Sequence, residues 1–405
     1  MSNINLAVNR VAAGPPSTRT CRILGSCLMF LLLAYLPAYA DHIHHLWYNN
    51  SLWQDQDLTV LTHGGISESL GAIAAFYTTP NHQFHVYYVD ITSQHVHQLY
   101  NNGKSWSDED LSALTGGPTA YAYGITGFSI GNLQYVFYVA IDSHVHELNY
   151  NNASWVDQDL TGLLGGNSAS PAPLVAFATK PNNQLHVYYQ DANNLHEYQL
   201  YYNGASWSYQ DLTSITGTGT AFCYTQWMAA FAMGNQQHLF CPGYLTSTSN
   251  LDLLHFSYTS AWSVEDITLQ ASRTQTPMYL DTGVAAFRVP VFPQWEVWGV
   301  TADTHLNEYI GDYQMHTWVD WDATTTWGAP SDAHYGGIVA FVTTPNNQQH
   351  IYYAPSTDVY QFYFNGTAWT VENLTGGSGQ ADDNSGMAGF ALGNAQHVFY
   401  MSYGN

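Results

Sequence analysis

The chain has 405 residues, 46% of them hydrophobic and 15% aromatic, so it can bury a sizeable core and is not a disordered polymer. Only 9% are charged, and 30 Asp plus Glu outnumber 7 Lys plus Arg for a formal net charge of −23. A chain so poor in bases cannot neutralise phosphates, which excludes nucleic acid and anionic membrane surfaces as partners and leaves a neutral or cationic ligand.

Residues 1–40 hold no acid and three of the seven bases, Arg10, Arg19 and Arg22, ahead of the apolar run ILGSCLMFLLLAYL. This is the layout of a signal peptide, and Ala38-Tyr39-Ala40 supplies the small residues that predict cleavage before Asp41. The run is interrupted by Gly25 and Ser26, ends at Pro37, and is short for a bilayer of roughly 30 Å. No membrane insertion is expected after cleavage, and the protein is expected to be secreted or periplasmic. Lys104, Lys180, Arg273 and Arg288 are then the remaining bases. Cys21 and Cys27 leave with the leader, while Cys223 and Cys241 flank a hairpin-like segment in a compartment that permits oxidation, which makes them candidates for a disulfide.

From Asp41 onward the chain repeats. A Trp opens the same short segment at positions 53, 106, 155, 207, 262, 318 and 369, dividing 41–405 into seven units of about 52 residues, a length typical of four-stranded propeller blades. Each unit has a small apolar run (GAIAAFYT, PLVAFAT, GIVAFVT), an aromatic alternating run (FHVYYVD, LHVYYQD, QHIYYAP), and a pair such as HVHELNY and SWVDQDLT. Val, Ile, Tyr, Phe, Trp and Thr suit half-buried pleated surfaces. TTPNHQ, TKPNNQ and TTPNNQ link the first two runs, and Asn102-Gly103, Asn203-Gly204 and Asn365-Gly366 link the last two with hairpin-turn chemistry. No helical spacing extends over ten or more residues.

The ends of the chain set the architecture. Residues 41–59 read as the third and fourth runs of a unit, and GMAGFALGNAQHVFYMS near the C-terminus reads as the first and second. Together they complete one blade and remove an exposed edge. The expectation is an all-β fold: a single seven-bladed β-propeller over 41–405, four antiparallel strands per blade, closed by N-terminal strands pairing with C-terminal ones. Gly71, Ala72, Ala74 and Ala75 suit the crowded strand at the central channel.

The recurring polar residues admit two readings. The second run opens with His85, His186, His238, His350 and His397, replaced by Tyr135 and Trp295, and the third carries His97-Gln98, His146-Glu147, His196-Glu197, Asn307-Glu308 and Tyr360-Gln361. Each blade must satisfy the same buried polar groups, which accounts best for Asp57, Asp110, Asp159, Asp211 and Asp266. An aromatic platform beside a carboxylate or amide and a ring nitrogen also suits a sugar, which has an apolar C–H face and a hydroxyl rim.

The combined motif HVYYxD, HVHEL, NGxSW, DLT resembles the fucose-binding propeller lectins of fungi and bacteria over nearly all of 41–405. The resemblance implies glycan pockets between blades, with a Glu from the third strand falling on Glu147, Glu197 and Glu308, Gln98 and Gln361 as amide substitutes, and an aromatic ring at Trp106, Trp155, Trp207 and Trp369. The family's Arg is replaced by His85, His186 and His350 and their equivalents. Phe256 marks one unit with an apolar residue at the Glu position and His45 stands there in the closing unit, so fewer than seven pockets are expected. Fucose or a related neutral sugar is favoured, glycans or glycoconjugates are the expected partners, and homo-oligomerisation stays open.

A glycoside hydrolase would need two catalytic carboxylates in a unique place, whereas the acids here recur with the blades. The chain has no phosphate loop, nucleophile elbow or His-Glu-x-x-His motif, so neither catalysis nor a cofactor is expected. His42 and His44 alternate in facing with His45, which argues against a metal site at that segment. A non-catalytic scaffold for protein partners is the remaining alternative.

Overall fold

Runs that alternate aromatic and small residues between turn signals form strands, and each successive set of four hydrogen-bonds into one antiparallel sheet. The computed structural model describes residues 40–403 apart from 50, 218–221, 224–226, 246–249, 272–275, 280–281, 291, 333–335 and 377–380. The leader expected over 1–40 lies outside the described residues except for Ala40, and Arg273 lies outside them too.

The blades are I (74–110), II (120–159), III (175–211), IV (229–266), V (284–322), VI (339–373) and VII (388–403 with 40–57). The chain is a seven-bladed β-propeller. The first strands, Ala74–Thr78, Ala120–Ile130, Val175–Ala178, Ala229–Met233, Val284–Val289, Val339–Val342 and Ala388–Leu392, pack each against the next in a closed cycle around the axis. Ring closure occurs inside blade VII, where Ala40–Tyr48 pairs antiparallel with Ala395–Tyr403 in the register His45↔Phe399. Small residues are required near this join: a Cβ on Gly386 would come within 3.0 Å of Ala72 Cα and Gly71 O. The last-pair hairpins turn through Gly103, Gly204 and Gly366 at φ of 85°, 92° and 93°, the left-handed region that their Asn-Gly sequences anticipate.

The repeated Asp-Leu-Thr string has a structural role for each residue. In six blades the Asp caps a helix of four or five residues: the side chains of Asp57, Asp110, Asp159, Asp211, Asp266 and Asp322 accept from the backbone N–H three residues on. The next residue, such as Leu58, Leu111, Leu160 or Leu212, is fully buried. The hydroxyl after it accepts the backbone N–H of a residue on, or in blade VI just before, the third strand, in the pairs Thr59–Ile43, Ser112–Val96, Thr161–Val145, Thr213–Glu197, Thr268–Leu253, Thr324–Leu306 and Thr375–Val359, at 2.9–3.1 Å. The string thus ties the outer strand of every blade back to its neighbour. In blade IV, Cys223 and Cys241 are joined in a disulfide with Cα atoms 5.6 Å apart.

Candidate functional site: the seams between blades

Strand register defines five positions at every seam: two on the second strand of a blade, one on its third strand, and two from the following blade. At the I/II seam they are His85, Tyr87, Gln98, Gln134 and Trp155. The following blade's Trp lies edge-on to the preceding blade's central ring at all seven seams: Trp155–Tyr87, Trp207–Phe137, Trp262–Tyr188, Trp318–Phe240, Trp369–Trp298, Trp53–Tyr352 and Trp106–Phe399, with centroids 5.1–6.3 Å apart. The repeated Trp is therefore an inter-blade wedge, a favourable edge-to-face geometry.

Seams I/II, III/IV and VI/VII carry the same polar network. His85 places Nε2 3.0 Å from Thr78 Oγ1 and Nδ1 2.6 Å from Gln98 Nε2. That amide also reaches Tyr87 Oη at 2.8 Å and Gln134 Oε1 at 3.0 Å, and the Tyr87 hydroxyl donates to Gln134. His186 repeats this with Thr179, Gln199, Tyr188 and Gln237, and His350 with Thr343, Gln361, Tyr352 and Gln396. Burial pushes His85 down to about 3 and His186 and His350 to about 4, so each ring is neutral: Nδ1 accepts from the amide and Nε2–H donates to Thr.

Two seams are filled by rings. At IV/V, His238 contacts His255 at 3.0 Å, His255 stacks on Phe240 with centroids 4.4 Å apart, and Trp295 packs alongside. At VII/I, His45 meets His397 at 3.0 Å and stacks on Phe399, with Phe84 against His397. Seam V/VI holds a buried carboxyl pair, Glu296 and Glu308; desolvation pushes both upward and they hydrogen-bond to each other, which requires a proton between them.

Seam II/III stands apart because its neighbours release the acid. Tyr135 occupies the His place, Phe137 the Tyr place and Leu185 the Gln place, leaving the Glu147 carboxylate to Asn149 Nδ2 at 3.3 Å and the Trp207 indole N–H. Burial raises Glu147 to about 7 against the opposing effect of those donors. Glu147, Tyr135, Leu185, Tyr202 and Trp207 line a cleft of about 900 Å³. Clefts of about 1050 Å³ and 510 Å³ open over the I/II and VI/VII networks, lined respectively by His85, Gln98 and Trp155 and by His350, Gln361 and Trp53.

The structure regroups several residues singled out by sequence. Glu197 does not occupy the place of Glu147: register puts Gln199 there, while Glu197 falls where other blades carry Val96, Val145 or Leu306. Both its carboxylate oxygens are buried without a hydrogen-bond partner, and desolvation drives it well above the usual carboxylate range. Aligning the two His-Glu pairs obscures the shift; the distance to the following Trp exposes it, eight residues from Glu147 and ten from Glu197. Glu296, rather than Trp295, stands in the His85 place, since Trp298 pairs with Glu308 as Tyr87 pairs with Gln98. His255, not an apolar residue, occupies the third-strand position of blade IV. Trp106 and Trp369 lie at the ring-filled VII/I seam and the carboxyl-pair V/VI seam. Gln134, Gln237 and Gln396, which complete the networks, were signalled by the Gln that recurs before the His or Tyr of the second run.

No family model matches the chain, and no curated protein matches it. Among solved structures, a lectin from Burkholderia pseudomallei is similar at a TM-score of 0.58 and 15% identity, over 83% of this chain and 97% of that one. A lectin from Aleuria aurantia, described as a six-bladed β-propeller with a novel mode of fucose recognition, is similar at a TM-score of 0.50 and 16% identity, over 75% of this chain and 95% of that one. The chain has the fold of the propeller lectins. Within that propeller-lectin fold its seams lack guanidinium groups: Arg288 is the one arginine among the described residues, exposed at the end of the first strand of blade V.

Proposed function

We propose that this protein is a non-catalytic, multivalent carbohydrate-binding protein whose principal pocket is the cleft between blades II and III. The observation that carries the reading is Glu147, a carboxylate freed from the polar network and set beside Trp207 and Tyr135 in an open cleft. Its volume falls within the roughly 300–1,000 Å³ of small-molecule sites. Ionised, Glu147 accepts hydroxyl hydrogen bonds, while the aromatic and Leu185 surfaces take the apolar face of a sugar ring. A neutral sugar fits a chain with this acidic excess, and the fold shared with a lectin described for fucose recognition favours fucose or a close relative.

The I/II and VI/VII clefts are secondary pockets, floored by neutral His and amide groups. Several weak sites on one ring strengthen attachment to a multivalent glycan through effective concentration. The Glu296–Glu308 pair shares a proton within its seam and lines none of the three clefts described above, which does not suit a hydrolase. The reading includes secretion or export to the periplasm after cleavage before Asp41.

A glycan array with protein starting at Asp41, followed by calorimetry with methyl α-L-fucoside, tests the proposal. Saccharide binding that falls in Glu147→Gln supports it. Turnover of chromogenic glycosides points to a hydrolase, and silence in both assays favours a protein-binding scaffold.

A further inference from the structure

The third strands also present a second pattern, on the opposite side of the alternation from the seam residues. In five blades a His on or just before this strand contacts the helix-capping Asp: His42–Asp57, His95–Asp110, His144–Asp159, His196–Asp211 and His305–Asp322, at 2.7–2.8 Å. This contact alone braces the cap. Three blades add a second His two residues on, with its Nδ1 held by an Asp of the fourth strand: His44–Asp55 at 3.2 Å, and His97–Asp108 and His146–Asp157 at 2.9 Å.

Blade II adds one group to this set. Asp142, in the turn before the strand, brings Oδ2 to 3.4 Å from His146 Nε2 and 3.9 Å from His144 Nδ1. Ligand atoms from Asp142, His144, His146 and Asp159 then all lie within 4.8 Å of one another. Four atoms around a tetrahedral ion, each at about 2.0–2.1 Å, sit about 3.3 Å apart, so small side-chain rotations suffice to close the shell.

The group behind the cluster supplies the orientation a metal ligand needs. Asp157 accepts the Nδ1–H of His146 and the hydroxyl of Tyr138, the latter at 2.6 Å, which fixes the imidazole tautomer and turns the Nε2 lone pair toward Asp142 and Asp159. Carboxylate–His–metal chains of this form are the usual second layer of zinc sites. With Nδ1–H committed to Asp157, Nε2 and the Asp142 oxygen are two acceptors facing each other at 3.4 Å. A proton or a cation between them relieves that contact.

We propose that Asp142, His144, His146 and Asp159 form a binding site for a divalent transition-metal ion, zinc in the first instance, with Asp157 as the positioning residue for His146. The mixed imidazole and carboxylate donors suit Zn²⁺ better than Ca²⁺ or Mg²⁺, which prefer oxygen alone. The ion takes the place of the hydrogen between His144 and Asp159, and the His144 imidazole then carries its hydrogen on Nε2. It joins the turn at Asp142, the third strand and the cap of the following helix. Blade V repeats the arrangement with three groups, Asp303, His305 and Asp322, and has Asn307 where blade II has His146. The site is independent of the sugar reading.

The test uses chelator-stripped protein starting at Asp41, titrated with Zn²⁺ and, for spectroscopy, with Co²⁺. Wild type is expected to bind one ion more than Asp142→Asn, an exposed change that leaves the ring folded, and to show tetrahedral Co²⁺ bands that this variant loses. Asp157→Asn is expected to weaken uptake about 10- to 100-fold while retaining stoichiometry. Melting temperature should rise with Zn²⁺ in wild type more than in Asp142→Asn. Equal Zn²⁺ stoichiometry and affinity in wild type and both variants, or no uptake at micromolar Zn²⁺, would overturn the proposal and leave a proton as the bridge between His146 and Asp142.

Discussion

Trp207 of blade III lies edge-on to Phe137 of blade II, with ring centroids 6.0 Å apart and planes at 78°, and the same pairing repeats at all seven seams. A ring conserved in geometry at filled and open seams alike has a structural duty first. The duty is heaviest where the indole is most covered: Trp318 is 4% exposed and also donates Nε1–H to Glu265 at 3.1 Å. Trp318→Ala is expected to cost about 3–5 kcal/mol. Trp155→Ala, at a more open seam, should cost less. Urea midpoints of the two variants check the order; equal midpoints would deny the wedge role.

Glu147 supplies the pH signature of the proposed sugar site. Burial raises its carboxyl to about 7, so it gains its charge as pH rises through neutrality. A charged acceptor makes stronger hydrogen bonds to hydroxyls than a protonated one. Sugar affinity should therefore climb between about pH 6 and pH 8, and Glu147→Gln should be both weaker and flat across that range. Calorimetry at three pH values decides it; an unchanged slope in the variant would move the site to another seam.

The fold was legible in the sequence because a propeller repeats its constraints. The Trp spacing gives the blade count, and the half-units at the two ends give the closure observed between Ala40–Tyr48 and Ala395–Tyr403. The seams were less legible, since they depend on register, and a slip of one or two residues exchanges seam and core positions. His196-Glu197 resembles His146-Glu147 in the string, yet His196 contacts the cap residue Asp211 as His144 contacts Asp159. Neither could the string show that Leu185 in place of Gln134 releases Glu147, because the two residues at issue come from different blades.

The Asp that caps the helix in six of the blades makes a separate prediction. Asp211 is pushed up by partial burial, but bonds from His196 and the Ser214 N–H outweigh this and hold it below the usual carboxylate value. A depressed folded value means stability that is present above the ordinary pKa near 4 and is lost as pH falls through and below it. Asp211→Ala should cost about 0.5–2 kcal/mol at neutral pH. Asp211→Asn should cost less, because Asn373 already fills this role in blade VI, its Oδ1 accepting from Gly376 N at 2.9 Å. The Asn variant should also lose less stability than wild type on acidification, read from melting temperatures at about pH 3 and pH 7.

Glu197 tests the register directly. Its carboxyl is buried without a partner at a position that is Val96, Val145 or Leu306 in other blades, so the folded protein keeps it protonated well above the usual range. Between the ordinary carboxylate value and the raised one, the folded state holds a proton that the unfolded state has released, and stability falls as pH rises, by at most about 1.4 kcal/mol per pH unit. Glu197→Leu removes this dependence and, even where the carboxyl is neutral, the cost of about 1–3 kcal/mol for unsatisfied polar atoms. The variant should melt higher than wild type, with a gap that widens from about pH 5 to pH 8, while sugar binding at Glu147 stays unchanged. A constant gap would mean that Glu197 is ionised in the folded protein, and a loss of sugar binding would return it to the seam.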